Sequence, residues 1–334
     1  MGTRAPAKVL ITGGREVGGV QSFAEGLEAG FRALGIQTEV VSPGQVVRHW
    51  RELRDPKVLK ILSTTALFAA PFVRRAICMA HGMPGANKQG WLTLIGMIGS
   101  YKLTNVCLGT RLVAVSDYTA VHLYNTFDVK IDGVVRNPVK SEYLEPFHED
   151  GERRYITYVG RLVKQKNVHR LLPAICKVVR DVPGLRACII GDGPQRSELE
   201  KIAAGDGRIE FKGCCDAQIV REYLRRTKVF VSGDPTEPLG ITYLEALTQG
   251  CMVAMPASGG GIEIALDHVG KAVQLLPICL DGAEVASALH RAIKYSCKPL
   301  RLDAHTPKAV ASAYLDVDAR YFSEIDCKPD RRHY

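Results

Sequence analysis

Ten cysteines are spread along the chain without one C-x-x-C pair, and Cys214 and Cys215 are adjacent rather than bracketed. Structural zinc and dithiol redox chemistry both depend on such spacing, so the thiols read as reduced and the chain as cytoplasmic. No leader-like segment precedes "KVLITGG", which reads as a strand almost from the start. The opening "MGTRAP" has Pro6 where a myristoylation signal needs Ser or Thr. Long hydrophobic runs are also missing. The longest apolar stretch, Ile61–Val73 ("ILSTTALFAAPFV"), is too short and too polar to span a bilayer. It reads first as a core helix. It could also lie on a membrane surface, with Arg48, Arg51, Arg54, Lys57 and Lys60 before it and Arg74 and Arg75 after it.

Acidic residues are scarce in one half only. Residues 1–140 carry 17 Lys/Arg against 9 Asp/Glu, and residues 141–334 carry 27 against 26, within a formal net charge of +9. A basic N-terminal half suits an anionic partner, such as a membrane surface or a phosphorylated acceptor, as well as it suits a solvated face. What is present is ordinary for a globular protein: 46% apolar and 24% charged residues exclude disorder. A length of 334 residues exceeds one usual hydrophobic core and predicts two domains.

The pattern supports that division. "AKVLITGG" reads as a buried parallel strand, "GVQSFAEGLEAGFRALG" as an amphipathic helix through Val20, Phe23, Leu27, Phe31 and Leu34, and "QTEVVS" as the next strand. "AICMAHG" and "RLVAVSDYTA" continue the sheet. A polar break at Glu145–Arg154 separates this half from a second alternation, running from "YITYVG" through "VHRLLPAICKVVRD", "LRACIIGDGP" and "RIEFKG" to "KVFVSG", "ITYLEALTQG" and "CMVAM". The predicted boundaries are 1–148 for an N-terminal Rossmann-like domain, 154–310 for a C-terminal one, and 311–326 for a last helix. Doubly wound sheets bind ligands at the carboxyl ends of their strands, so a cleft between two such domains is the expected site.

The stretch "EPLGITYLE" then stands out. Glu237 lies in the loop after the strand "KVFVSG", Gly240 allows a tight turn, and the first amides of the following helix, from Leu239 through Gly240 and Ile241 to Thr242, lack intrahelical acceptors. An anion is favoured there by those donors and by the helix dipole. Glu245 follows inside the helix. Two carboxylates around an anion site suit a nucleotide-sugar, although an acidic helix start alone would be merely stabilising. Arg161 and Lys166, after "YITYVG", supply cations at the same sheet edge.

Taken in order, the G-R-L of Gly160–Leu162, Lys166, the G-D-G-P of Gly191–Pro194, the E-x7-E pair Glu237 and Glu245, and the glycine turn Ser258–Ala265 resemble the retaining GT-B glycosyltransferases of family GT4, the glycosyl transferases group 1. That resemblance implies an α/β fold of GT-B architecture, with two Rossmann-like doubly wound domains facing across a cleft and the last helix crossing back to the first domain. It implies that Glu237 holds donor sugar hydroxyls, Glu245 the ribose, the Leu239 and Gly240 amides the sugar, and the Ile241 and Thr242 amides the phosphate. Arg161 and Lys166 would neutralise the diphosphate beside Gly160, Gly191 and Asp192. In the first domain "GGVQSF" resembles the family's glycine loop, with Gly18 and Gly19 near the distal phosphate, and "AHG" its strand-end histidine, which places His81 beside the reacting carbon. Three departures are Asn167 where glycine is common, Leu239 where an aromatic is usual, and a short first domain.

The expected reaction moves a sugar from a UDP-sugar, or next a GDP-sugar, to a saccharide or lipid-linked acceptor in cell-surface polysaccharide or lipopolysaccharide synthesis, with retention and without a cofactor or metal. "DVD" (Asp316–Asp318) matches D-x-D but falls in the tail helix, away from any strand end. Other readings are a small soluble acceptor, a GT-B epimerase, and a non-catalytic protein binding anionic ligands; nucleic acid is an unfavoured partner. A dehydrogenase fits poorly, because Gly13, Gly18 and Gly19 miss the G-x-G-x-x-G spacing.

Overall fold

The computed structural model describes residues 5–13, 19–82, 91–145, 152–266 and 268–322. The chain divides into two compact units, Met1–Ser141 with Asp303–Tyr334, and Glu142–Leu302. The division therefore falls ahead of the polar break at Glu145–Arg154, and residues 303–310 go with the first unit. Side-chain anchoring explains the early division. The Tyr143 hydroxyl donates to the Ala217 carbonyl at 3.3 Å, and the Gln249 amide donates to the Tyr143 carbonyl at 2.8 Å, so the chain already belongs to the second unit at that point.

The first unit holds a parallel six-stranded sheet in the order β2-β1-β3-β4-β5-β6. Its strands are β1 (Lys8–Thr12), β2 (Gln37–Val41), β3 (Val58–Ser63), β4 (Ala76–Ala80), β5 (Thr110–Ala114) and β6 (Gly133–Val134). Beside it lie α1 (Gly19–Ala33), α2 (Trp50–Arg54), α3 (Trp91–Val106) and α4 (Asp117–Phe127). The buried set of α1 (Phe23, Leu27 and Phe31 among others) recurs at helical spacing, which is why this segment lies on the sheet. Ser116 caps α4 by accepting from the Thr119 amide at 3.1 Å.

Ile61–Val73 is not a core helix. Its first three residues finish β3, and Thr64–Phe72 forms a 3-10 helix with Pro71 inside it. The β-branched Thr64 and a proline without an amide proton oppose regular α geometry there. Two of the flanking cations are also not at the surface. Lys60 is fully buried in β3, its ammonium donating to the carbonyls of Asp55, Val58 and Arg74, and burial pushes its pKa down to about 7. Arg75 forms a two-pronged pair with Asp318, at 2.7 and 2.6 Å.

The second unit repeats the plan, in the order β12-β11-β10-β7-β8-β9, with all strands parallel. The strands are β7 (Tyr155–Val159), β8 (Arg186–Ile190), β9 (Ile209–Gly213), β10 (Thr227–Val231), β11 (Met252–Pro256) and β12 (Val273–Leu276). The helices are α5 (Ser141–Leu144), α6 (Val168–Asp181), α7 (Arg196–Ala203), α8 (Ala217–Arg225), α9 (Ile241–Thr248), α10 (Gly261–Ala265) and α11 (Gly282–Ala292). In α6 the buried Val168, Leu171, Leu172, Ile175, Val178 and Val179 form one continuous stripe. Because β8, β7, β10 and β11 are consecutive neighbours pointing one way, the loops at their carboxyl ends gather along one edge. The last helix, α12 (Pro307–Phe322), packs on α1 in the first unit, where Gly30 meets the Pro307 backbone so closely that a Cβ would sit 2.0 Å from its carbonyl oxygen.

Candidate functional site

The loops after β7 and β8 are bound to each other by their backbones. Gly160 donates to the Ile190 carbonyl at 3.0 Å, Leu162 donates to the Asp192 carbonyl at 2.8 Å, and Gln195 donates to the Leu162 carbonyl at 3.0 Å. This approach has no room for side chains. A Cβ on Gly191, where φ is +129°, would lie 1.9 Å from the Gly160 carbonyl oxygen. The glycines of G-R-L and G-D-G-P are thus two halves of one junction. It leaves Arg161 and Asp192 at its rim, both exposed. The Tyr158 hydroxyl beneath donates to the Arg161 carbonyl at 3.0 Å.

From this junction the chain enters a short 3-10 turn, Lys164–Lys166, and Asn167 adopts a left-handed conformation (φ +53°) that opens α6. Asparagine tolerates that geometry, which accounts for its place where glycine is common in the resembling family. Its side-chain amide donates to the Gly233 carbonyl at 2.9 Å and ties this turn to the loop after β10. Lys166 is delivered to two carboxylates of that loop, Glu237 at 2.5 Å and Asp234 at 3.0 Å.

Asp234 is the site residue that the motif reading missed. It is 1% exposed. One carboxylate oxygen accepts from the Thr236 amide and hydroxyl, both at 2.9 Å, while the other faces Lys166 and the Gln165 amide. Burial raises its pKa, but the Lys166 charge and the Thr236 hydrogen bonds outweigh burial and hold the carboxyl below its usual range. For Lys166, burial disfavours the charge and the two carboxylates more than restore it, so its pKa is raised. The spacing Asp-x-x-Glu in "GDPTEP" was the available signal, directly after a strand end.

The backbone of Glu237 is held from the other side by the glycine turn. Gly260 donates to the Glu237 carbonyl at 2.8 Å, Ser258 donates its hydroxyl to the Pro235 carbonyl at 2.7 Å, and a Cβ on Gly259 would press on Glu237. Gly240 is left-handed (φ +88°) and opens α9; a Cβ there would strike the Tyr243 ring, whose hydroxyl donates to Ser232 at 2.8 Å. Leu239 is buried at this turn, and the Ile241 and Thr242 amides follow in the first turn of α9. Glu245 is buried further along the same helix, close enough to Tyr143 to add to the burial that pushes that hydroxyl's pKa up. Lys166, Glu237 and Asp234 are therefore in direct contact, the Gly160 and Gly191 loops interlock, and Glu245 takes a separate place along α9.

In the first unit His81 directly follows β4. Its ring meets Phe23 edge-on at 4.5 Å, and its Nε2 is buried with no partner among the described residues. Burial lowers its pKa to about 4, so the imidazole is neutral at ordinary pH. Gly19 is the first residue of α1 and is exposed, whereas Gly18 lies outside the described residues. The buried member of the D-x-D match, Asp318, serves the ion pair to Arg75, and Asp316 is exposed.

Residues 139–293 match the family model of the glycosyl transferases group 1. Among curated relatives, the chain is 27% identical over 184 residues to the uncharacterized glycosyltransferase YqgM of Bacillus subtilis, covering 51% of this chain and 50% of that one. It is 26% identical over 310 residues to a GDP-mannose-dependent alpha-(1-6)-phosphatidylinositol monomannoside mannosyltransferase of Mycobacterium tuberculosis, covering 79% and 78%. The chain spans half or less of the length of the first relatives it matches. Among solved structures, Anabaena Alr3699/HepE, crystallised with UDP and glucose, superposes with a TM-score of 0.65 at 15% identity, covering 96% of each chain. That likeness establishes the fold: two Rossmann-like units of GT-B type.

Proposed function

We propose, from the premise that residues 139–293 belong to the group 1 glycosyl transferases, that the chain transfers a sugar from a nucleoside diphosphate donor to an acceptor hydroxyl with retention at the anomeric carbon. The observation that carries this reading is the Lys166–Asp234–Glu237 cluster set beside the interlocked Gly160 and Gly191 turns, all at the carboxyl edge of one sheet. A UDP-sugar is the favoured donor, since the structurally similar HepE is seen with UDP, and a GDP-sugar is next, since a relative uses GDP-mannose.

The charges decide the roles. One ammonium between two carboxylates leaves this cluster net negative, so it cannot by itself attract a diphosphate. Exposed Arg161 and the first amides of α9 are the groups left to do so. Glu237 is the half-exposed member and accepts from sugar hydroxyls, while buried Asp234 fixes Lys166 beside it. Glu245 takes the ribose, and Gly160, Gly191 and Asp192 border the diphosphate. His81 and the Gly18–Gly19 turn keep the roles that the resemblance implies. The bond from the anomeric carbon to the diphosphate oxygen breaks, the bond to the acceptor oxygen forms, and the acceptor proton passes to the departing phosphate on the same face. Stabilising that phosphate is the main task, and it requires no metal. The acceptor is a saccharide or lipid-linked saccharide of cell-surface polymer synthesis, met at the cytoplasmic face of a membrane.

The first test is thermal unfolding with UDP, GDP, ADP and dTDP, each in EDTA. A ligand at about a hundred times its dissociation constant adds roughly 2.7 kcal/mol, a shift of a few degrees at this size. A shift with one base supports a metal-independent nucleotide site and names the donor to assay; no shift with any of them removes the proposal. With the donor in hand, Glu237→Ala abolishes transfer while nucleoside diphosphate binding persists, and Arg161→Ala weakens the nucleotide itself. Equal loss of both functions in Glu237→Ala would reverse the assigned roles.

A further inference from the structure

The first unit carries an aromatic and cationic surface that the transfer chemistry does not use. Val47 is 61% exposed, Trp50 39%, Phe68 52% and Phe72 52%. They come from the 3-10 helix Pro43–His49, from α2, and from the 3-10 helix Thr64–Phe72, and the two 3-10 helices touch each other. Trp50 and Phe72 pack with ring centroids 5.6 Å apart, and the Arg54 guanidinium lies 4.2 Å from the Trp50 ring centre. The patch is thus continuous across three segments. A backbone hydrogen bond from Arg74 to the Leu53 carbonyl, at 3.1 Å, brings a further cation to its border.

Its charge is one-sided. Arg48, Arg51, Arg54 and Arg74 are all exposed. The single acid within α2, Glu52, is engaged by Lys8 at 2.9 Å and His49 at 3.0 Å, so it does not offset these arginines. Large exposed aromatics mark a docking site rather than ordinary surface. Tryptophan and phenylalanine ringed by four exposed arginines, against Glu52 and the half-buried Asp55 at the end of α2, have the composition of a face that sits at the level of lipid headgroups. No described helix is long and apolar enough to cross a membrane, so contact of this kind would be superficial.

We propose that the face formed by Val47, Trp50, Phe68 and Phe72, with Arg48, Arg51, Arg54 and Arg74 around it, docks on an anionic phospholipid bilayer. This gives the membrane expectation a definite surface, and it needs neither the donor nor the transfer reaction. Trp50 inserts among the headgroups, and the arginines meet lipid phosphates. A second copy of this chain is disfavoured as the occupant, because two such faces would bring eight like charges together.

The chain has two tryptophans, so Trp91→Phe leaves Trp50 as the sole indole reporter. The test adds that protein to vesicles of phosphatidylcholine, with and without phosphatidylglycerol, following Trp50 emission and co-sedimentation. The expected result is sedimentation with the phosphatidylglycerol vesicles, a blue shift of Trp50, and loss of both at high salt. Arg48→Glu with Arg51→Glu weakens the affinity at least tenfold, since each cation near an anionic surface is worth about fivefold. Phe68→Ser with Phe72→Ser abolishes the shift. Both pairs are exposed, so an unchanged melting temperature verifies folding. No sedimentation with either vesicle overturns the proposal, as does sedimentation without a Trp50 shift, or a shift that depends on protein concentration alone. None of these outcomes bears on nucleotide binding, so failure here is separable from failure of the transferase reading.

Discussion

In the second unit, the loops at the carboxyl edge are fixed by backbone: Gly160 to Ile190, Leu162 to Asp192, Gln195 to Leu162, and Gly260 to Glu237. Among the described residues of the first unit, side chains take part at the corresponding edge, beside the backbone bond from Gly13 to the Val41 carbonyl at 3.0 Å. Thr12 and Ser63 exchange hydrogen bonds across β1 and β3, at 3.0 and 2.6 Å, and His81 leans on the Phe23 ring. The sheets are alike, but backbone contacts need particular glycines, whereas side-chain contacts accept many residue types. A site of the first kind is rigid before any ligand arrives and is marked in the sequence.

The comparison breaks most severely at Gly191. Gly191→Ala places a methyl group 1.9 Å from a backbone oxygen, at a φ of +129°. Neither loop can withdraw without losing the junction, so the cost is at least about 4 kcal/mol. Gly184→Ala is the control: φ is +76°, but nothing lies within 4 Å, and the cost is about 1 kcal/mol from backbone strain alone. Urea unfolding separates the two. Equal costs would mean that the junction is loose and that the rigid-site argument fails.

The next effect falls in the first unit. Asp318→Ala leaves the Arg75 guanidinium buried without its carboxylate, in a pair whose side chains are 12% and 5% exposed. Breaking such a pair costs about 3–5 kcal/mol. Asp316→Ala, at the exposed end of the same D-x-D match, changes stability by less than about 0.5 kcal/mol. Neither variant should alter nucleotide binding. A metal-dependent loss of activity in Asp316→Ala would restore the D-x-D reading.

These contrasts explain what could be read in advance. α6 was legible to the residue, because its apolar stripe and the following turn agree. The glycines of G-R-L, of G-D-G-P and of the turn before α9 were legible because close backbone approach leaves glycine no substitute. Ile61–Val73 was misread because an apolar run does not reveal where a strand hands over to a 3-10 helix. Lys60 was placed at the surface by its residue type, yet three carbonyls accept its ammonium inside the sheet, an arrangement that exists only after folding. The 3-10 helix Pro43–His49, α2, α3 and β12 carried too little periodicity to stand out, whereas α11 was overlooked although its buried Val285, Ala288, Leu289 and Ala292 recur at helical spacing. Asp234 was overlooked because its partner, Lys166, is far away in sequence.

Asp234 sharpens the comparison within the second unit. In Asp234→Asn, Lys166 keeps only Glu237, and the buried side chain loses its charge. Stability should drop by about 1–3 kcal/mol near neutral pH. The sign with pH follows from the lowered carboxyl. Its contribution is present above the unfolded value of about 4 and is lost as pH falls below it, so the variant loses less on acidification than the parent. With one counter-charge removed, Lys166 also becomes a better partner for phosphate, and a bound nucleoside diphosphate should tighten a few-fold. Calorimetric titration with the diphosphate that shifts the melting temperature reads this directly. Weaker binding would mean that Asp234 holds Lys166 in place for the phosphate rather than away from it.

The smallest expected effect concerns His81. Its folded pKa of about 4 lies below the ordinary value near 6.5, because burial disfavours the imidazolium. Between those values the unfolded chain binds the proton and the folded chain does not. Stability is therefore full above about pH 6.5 and falls as the pH drops toward 4, by about 1–2 kcal/mol at pH 5. His81→Phe keeps an aromatic ring against Phe23 and removes the titrating group, so urea unfolding across this range should show a flatter acid limb. An unchanged limb would mean that His81 takes up a proton in the folded state. Its Nε2 would then have to find an acceptor, and the neutral ring could no longer be assigned to the donor side of the reaction.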